Sequence, residues 1–150
     1  MKKIFLCCSL LLLCCCNNNL NIERLAEEQA NKTIIEFARN PESVTISDMT
    51  TVFKTDSTCV LHFTFRGQNG FGGYSREKME YIYYLADSNC VYECIIDLDK
   101  GSKYEEFKQS GLKIYHKSNG DLSQKDLTNW IKGSINIYAM MQGRQLRREN

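Results

Sequence analysis

The chain has 150 residues, a formal net charge of +1 at pH 7, eight cysteines and one proline. This length suits a single domain with one hydrophobic core. The balanced charge offers no basic face of the kind that nucleic-acid-binding proteins use, so nucleic acid is not an expected partner. The single proline and the varied composition after Asn19 argue against a disordered chain or a mucin-like stalk.

The N-terminus has the pattern of an export signal. Met1-Lys2-Lys3 is a short positive region, and the apolar run over residues 4–13 fits a signal-peptide core. A membrane-spanning helix needs about 20 apolar residues, so this run is too short to cross a bilayer. We therefore predict a cleaved signal peptide over residues 1–15.

A cysteine-rich stretch closes this signal. Leu13-Cys14-Cys15-Cys16 resembles the lipobox of bacterial lipoproteins, in which cleavage precedes a cysteine whose sulfur then receives a lipid. The resemblance implies lipidation of Cys16 and a membrane partner through that anchor. Cys14 and Cys15 replace the usual Ala, Ser, Thr or Gly, so either could carry the lipid instead, and simple secretion stays an alternative. Asn17 is not the aspartate that retains some bacterial lipoproteins in the inner membrane, which favours the outer membrane of the cell envelope.

Cleavage also changes the charge of the mature chain. Loss of Lys2 and Lys3 lowers Lys plus Arg from 19 to 17 against 18 acidic residues, a net charge of −1. Residues 16–20 then form the lipidated N-terminus and a short tether, and residues 21–150 form a single domain. The short tether would hold that domain close to the membrane.

The first half of the domain reads as a helix followed by strands. Apolar residues at spacings of three and four predict an amphipathic helix over residues 21–40, which Pro41 ends. Extended runs follow over residues 44–54 and 59–66, joined by a turn. In the second run, alternation places Cys59 and Leu61 on one side of a sheet and Val60 on the other.

The second half completes an antiparallel meander of about four strands. A glycine-rich loop over residues 67–75 leads to strands over residues 78–86 and 90–98. Residues 102–109 could form two helical turns stopped by Gly111, with a short edge strand over residues 112–116.

A C-terminal helix follows, because Ser123-x-x-Asp126 resembles a capping box and helical spacing continues to Met141. We expect Arg144, Arg147 and Arg148 at its end, where they suit the helix dipole. The predicted fold class is α+β, with this helix packed on the sheet and the helices on one of its faces.

The cysteines of the domain are not spaced for obvious bridges. Cys59 and Cys90 begin strands that an intervening strand separates by about 9.6 Å, beyond the roughly 7 Å that a disulfide spans. Cys90 and Cys94 lie about 13 Å apart along one strand. We expect all three to act as small apolar side chains. His62 and His116 lack any metal-binding spacing, so no metal or other cofactor is expected.

Two functions from different classes remain open. The favoured one is a non-catalytic binding or structural module for an envelope protein, using a loop of Asn69, Phe71, Gly72, Gly73 and Tyr74. Three tyrosines of the next strand, Tyr81, Tyr83 and Tyr84, would extend this aromatic surface. The competing interpretation of the loop is that Phe71 folds back and closes the core. The alternative function is a small envelope enzyme or enzyme inhibitor with a site built from His62, Arg66 and Asp97.

A family resemblance supports the predicted location in the cell envelope. The segment Ala38-Arg39-Asn40-Pro41-Glu42-Ser43, then a strand pair, then Gln68-Asn69-Gly70-Phe71-Gly72-Gly73-Tyr74, resembles a group of small bacterial exported proteins and lipoproteins of uncharacterised function. It covers residues 35–84, about a third of the chain. Val44 replaces the usual alanine, and residues 99–150 have no counterpart. The resemblance implies an α+β envelope domain and no particular reaction.

The predicted lipidation of Cys16 can be tested by mass spectrometry. Protein purified from membranes of its native host should begin at Cys16 and carry a lipid-sized mass increment. Intact-mass measurement checks this, and Cys16→Ser should lose the increment. An unmodified chain that still begins with Met1 would contradict both export and lipidation.

Overall fold

The computed structural model of the protein describes residues 21–147, so the predicted signal peptide, Cys16 and the predicted tether lie outside the described residues. The helices and strands are α1 (Ile22–Phe37), β1 (Thr45–Lys54), β2 (Thr58–Gln68), β3 (Tyr74–Asp87), β4 (Cys90–Asp97), α2 (Lys103–Lys117), α3 (Gln124–Gln142) and β5 (Arg144–Arg147). Short 3-10 helices lie at Pro41–Ser43 and Leu98–Lys100. Within the described part the strands form one antiparallel sheet in the order β1-β2-β3-β4-β5. The α+β class and the meander are confirmed, with a fifth strand added.

Helix α1 begins and ends where local chemistry directs it. The Asn21 side chain caps its N-terminus by accepting a hydrogen bond from the Arg24 amide. Its buried face carries Ala26 and Ala30, whose small side chains let the helix lie close to the sheet. The helix stops at Phe37, a few residues before the proline that cannot continue it.

Helices cover both faces of the sheet, whereas we expected them on one. Helix α1 packs on the face of Cys59, Leu61 and Tyr81, and helices α2 and α3 pack on the face of Val60 and Ile82. The physical reason lies in β2 and β3, where consecutive residues such as Cys59, Val60 and Leu61 are all fully buried. A strand that is apolar on successive positions needs cover on both sides.

Helix α2 is continuous through Gly111, so the expected break there and the edge strand over residues 112–116 are both wrong. Gly111 is buried at the crossing with α3, where a β-carbon would lie 2.9 Å from atoms of both Leu127 and Trp130. The glycine therefore allows helices α2 and α3 to approach each other closely. From the sequence pattern alone, it was interpreted as the end of a helix.

Strand β5 was also missed, because its basic residues were assigned to the end of a helix. Helix α3 ends at Gln142, and Arg144–Arg147 then pairs with Cys90–Glu93 of β4. Arg144 binds the buried carboxylate of Glu93 through two nitrogens, at 2.8 and 2.5 Å. The ion pair with Glu93, rather than an interaction with a helix dipole, therefore accounts for the arginine at position 144. Arg148 lies outside the described residues.

Alanine substitutions at the two helical glycines, Gly111 and Gly133, should have opposite effects on the free energy of unfolding. Nothing lies within 4 Å of a β-carbon built at Gly133, so Gly133→Ala should raise the free energy of unfolding by about 1 kcal/mol through helix propensity. Gly111→Ala should lower it, since overpacking typically costs about 1–3 kcal/mol. Denaturant unfolding of both variants checks this. Equal stabilisation by both would contradict the close crossing of α2 and α3.

Candidate functional site

The connection between β2 and β3 is a fixed loop. The Asn69 side-chain oxygen accepts hydrogen bonds from the amides of Phe71 and Gly73, each at 3.0 Å. The Asn69 amide in turn donates to the Gly73 carbonyl at 2.7 Å. Gly72 takes a positive φ of 84°, a conformation that glycine adopts without strain. One asparagine side chain therefore sets the path of the whole loop.

The base of this loop is tied to the end of α1. The Gln68 amide donates to the Ser43 hydroxyl at 2.9 Å, and the Asn40 side chain donates to the Gln68 side-chain oxygen at 2.8 Å. Gln68 also donates to the Gly72 carbonyl from its side-chain nitrogen, at 3.2 Å. The two motifs of the family resemblance, Asn-Pro-Glu-Ser and the glycine loop, thus meet in space.

The loop aromatics face solvent. Phe71 is wholly exposed, so it does not fold back to close the end of the core. Tyr74 is 58% exposed, and the Arg66 guanidinium lies 4.7 Å from the centre of its ring. This distance is typical of a cation–π contact, which holds the tyrosine ring in place. The tip of the hairpin therefore presents one free and one supported aromatic side chain.

The following strand does not extend that aromatic surface. Tyr81 and Tyr83 are buried against α1, which makes the expectation of exposed tyrosines wrong for both. Tyr84 is half-buried on the opposite face and stacks on Tyr92, with ring centres 6.2 Å apart. The strand tyrosines contribute to the core. The aromatic surface expected around the loop is therefore reduced to Phe71 and Tyr74.

His62 does meet a carboxylate, that of Glu80, at 2.8 Å from its Nε2 atom. Glu80 is fully buried, and both of its oxygens already serve the N-terminus of α2. One accepts from the Ser102 hydroxyl at 2.5 Å, and the other from the amides of Lys103 and Tyr104, at 2.9 and 3.3 Å. The carboxylate acts as a cap that fixes α2 to the sheet.

The three polar residues considered for an enzyme site are not brought together. The Asp97 carboxylate accepts from the Asp99 amide at 3.0 Å and caps the short helix after β4. Asp97 lies opposite Met79, which packs on the α1 side of the sheet. His62 follows Val60 by two residues and therefore lies on the other face, the side of α2 and α3. Arg66 lies four positions further along β2, at the tip.

A second buried carboxylate, Glu93, was also missed from the sequence. It accepts from the Tyr81 hydroxyl at 2.5 Å and the Thr33 hydroxyl at 2.8 Å, beside its two bonds from Arg144. Burial first, and then the neighbouring Glu93 charge, raise the pKa of Tyr81 well above its ordinary value. The detectable signal was a glutamate between apolar neighbours in each of two strands, Glu80 in β3 and Glu93 in β4. Such a residue needs a buried partner.

Within residues 21–147 we looked for disulfides, metal-binding clusters and membrane-spanning helices. Cys59, Cys90 and Cys94 are free thiols. Burial raises the pKa of Cys59 to about 12, which leaves it unreactive in the folded state. No cluster of His, Cys, Asp and Glu in this part of the chain could hold a metal ion, and none of its helices is long and apolar enough to cross a membrane.

Removing the asparagine that organises the loop should loosen the tip. Asn69→Ala leaves the amides of Phe71 and Gly73 without an acceptor, so their hydrogen exchange should speed up, at a stability cost of about 1 kcal/mol. Asn69→Asp keeps the acceptor oxygen and should exchange almost as slowly as the native chain. Hydrogen exchange followed by NMR distinguishes the variants. Unchanged exchange in Asn69→Ala would refute the proposed role of this side chain.

Comparison with known proteins adds no further assignment. The chain matches no protein-family profile, no curated protein and no solved structure. The resemblance over residues 35–84 to small exported bacterial proteins therefore stays a prediction. Its strongest element is the Asn69–Tyr74 loop, whose exposed aromatics are described above.

Proposed function

We propose that the protein is a non-catalytic binding module of the bacterial cell envelope, anchored through a lipid on Cys16, most favourably in the outer membrane. The Asn69–Tyr74 loop is the surface that binds an envelope protein. The observation that carries this proposal is the complete exposure of Phe71 on a loop fixed by side-chain and backbone hydrogen bonds.

A fixed, exposed aromatic side chain is well suited to recognition. Binding energy at protein interfaces is concentrated in a few anchor residues, among which aromatic and arginine side chains are common. A loop that is already ordered loses less conformational entropy when a partner binds. Phe71 on its hydrogen-bonded loop, beside Tyr74 and Arg66, has both properties.

The position of the loop also supports this proposal. The start of α1 lies at the β1–β2 end of the sheet, where the Glu23 carboxylate accepts from Thr51 and Lys54, each at 2.5 Å. The segment that follows α1 lies at the opposite end, where the Asn40 side chain donates to Gln68. A lipid on Cys16 would be at most about 22 Å from the start of α1, from the reach of an extended chain. The start of α1, to which the tether would connect, and the loop thus lie at opposite ends of the domain.

The separation of His62, Arg66 and Asp97 supports a non-catalytic function. In the enzyme alternative these three side chains would have to share one site. Asp97 instead lies opposite Met79 on the α1 side of the sheet, whereas His62 follows Val60 by two residues and lies on the other face. Arg66 is committed to the Tyr74 ring at the tip.

Photocrosslinking in the native host tests the proposal. A photoreactive phenylalanine analogue replaces Phe71 in one variant and Ile137, an exposed apolar residue of α3, in the control. Position 71 should give a discrete crosslinked protein that position 137 does not give. Asn69→Ala in the same chain should reduce the yield several-fold, because it removes the order of the loop.

Two results would count against this function. Equal crosslinking from positions 71 and 137 would mean that the loop is no special contact surface. A specific hydrolytic or transfer activity of the purified chain that disappears in His62→Ala and persists in Phe71→Ala would favour the enzyme alternative.

A further inference from the structure

The hairpin tip has an unpaired strand edge. Strand β3 begins at Tyr74, but its pairing with β4 begins only at Met79, which lies opposite Asp97. After Asp97 the chain leaves the sheet through the short helix Leu98–Lys100. Residues 74–77 of β3 therefore have β2 on one side and no described strand on the other.

The pairing pattern shows which backbone groups face outward. The Asn69 amide donates to Gly73 and the Leu85 amide donates to Ser57, so pairs of odd-numbered residues are the hydrogen-bonded pairs between β2 and β3. The even-numbered residues Tyr74 and Arg76 then direct their N–H and C=O groups away from β2. These groups are available to another strand.

Positive charge dominates one face of this edge. Arg66 and Arg76 are direct cross-strand partners, and Lys78 is the next residue of β3 on the same face. Within residues 21–147 none of the three forms an ion pair, and the contact of Arg66 is with the Tyr74 ring. Like charges directly opposite each other destabilise a sheet. An anion bound between them would relieve this repulsion.

The other face of the same edge is apolar. On the α1 side, a groove of about 200 Å³ is lined by side chains that include Phe37, Phe65, Met79 and Ile95, with Glu77 also present. Phe37 is 67% exposed at its border. A strand added to β3 would place alternate side chains over this groove and over the basic face.

We propose that the distal edge of β3 binds an extended acidic segment of the partner protein by strand addition. Backbone groups of Tyr74 and Arg76 would pair with the added strand. Its carboxylates would lie on the face of Arg66, Arg76 and Lys78, and its apolar side chains would fill the groove beside Phe37. This inference rests on the proposed function and specifies the chemistry of its partner.

Charge and hydrogen bonding favour this occupant over two others. A second copy of the chain would bring the same arginines and lysine against this edge and would be repelled. A bilayer offers no strand to the open backbone groups, and open sheet edges do not occur in hydrocarbon. An acidic peptide satisfies both the charges and the backbone.

Peptide selection tests the inference with the full-length chain purified from membranes. A displayed library of random dodecapeptides is selected on the native chain and on the double variant Arg66→Glu/Arg76→Glu, whose thermal unfolding verifies the fold. The native chain should enrich peptides that alternate Asp or Glu with apolar residues. Their affinity for the double variant should fall at least about tenfold, as expected for loss of charge-assisted contacts. Bound peptide should slow exchange of the Tyr74 and Arg76 amides.

Three outcomes would overturn the inference. Enriched peptides could lack an acidic bias or keep their affinity for the double variant. The peptides could bind without protecting the Tyr74 and Arg76 amides. In the third outcome, no peptide binds, but vesicles of phosphatidylcholine and phosphatidylglycerol bind to the native chain and not to the double variant. A lipid surface would then be the ligand. Crosslinking from position 71 in the host remains an independent readout, so the binding function can survive failure of the acidic-strand inference.

Discussion

The architecture depends on two buried carboxylates that fasten helices to opposite faces of one sheet. Glu80 holds the N-terminus of α2 through the Ser102 hydroxyl and two backbone amides. Glu93, on the neighbouring strand, holds Thr33 of α1 and Arg144 of β5. A buried carboxylate that loses its donors is left with an uncompensated desolvation cost, so these contacts constrain the arrangement of helices strongly.

These anchors lie where β3 and β4 are paired, and their position determines what is left exposed. Helices cover both sheet faces around Tyr81 and Ile82, where β3 has strands on both sides. From Met79 towards the loop, the β2–β3 hairpin continues without β4. The exposed Phe71 and Tyr74, the facing residues Arg66 and Arg76, and the open edge all belong to this extension. A binding function located there leaves the packed half of the domain free to act as a rigid support.

The sequence predicts the parts of this fold that local patterns control. The placement of alternate β2 residues on opposite faces, the Ser123 capping box and the apolar face of α1 each reflect geometry within a few residues, and each is found in the structure. Gly111 shows the limit, since its role depends on a helix crossing that only the tertiary structure reveals. The path of the Asn69 loop and the burial of Tyr81 are likewise set by distant contacts. The loop was identified from its residue types, but its open edge follows from where β4 ends.

The most direct test of the account is the distance of the loop from the membrane. Lipidated full-length protein in vesicles carries a fluorescent amino acid at position 71 or, as a control, at Ser88 in the turn between β3 and β4. Energy transfer to acceptors in the lipid headgroups reports each distance. With β2 rising about 3.3 Å per residue over its 11 residues, position 71 should lie about 35 Å farther from the bilayer than position 88. Equal distances, or a label at position 71 within the headgroups, would contradict a loop that is presented away from the membrane.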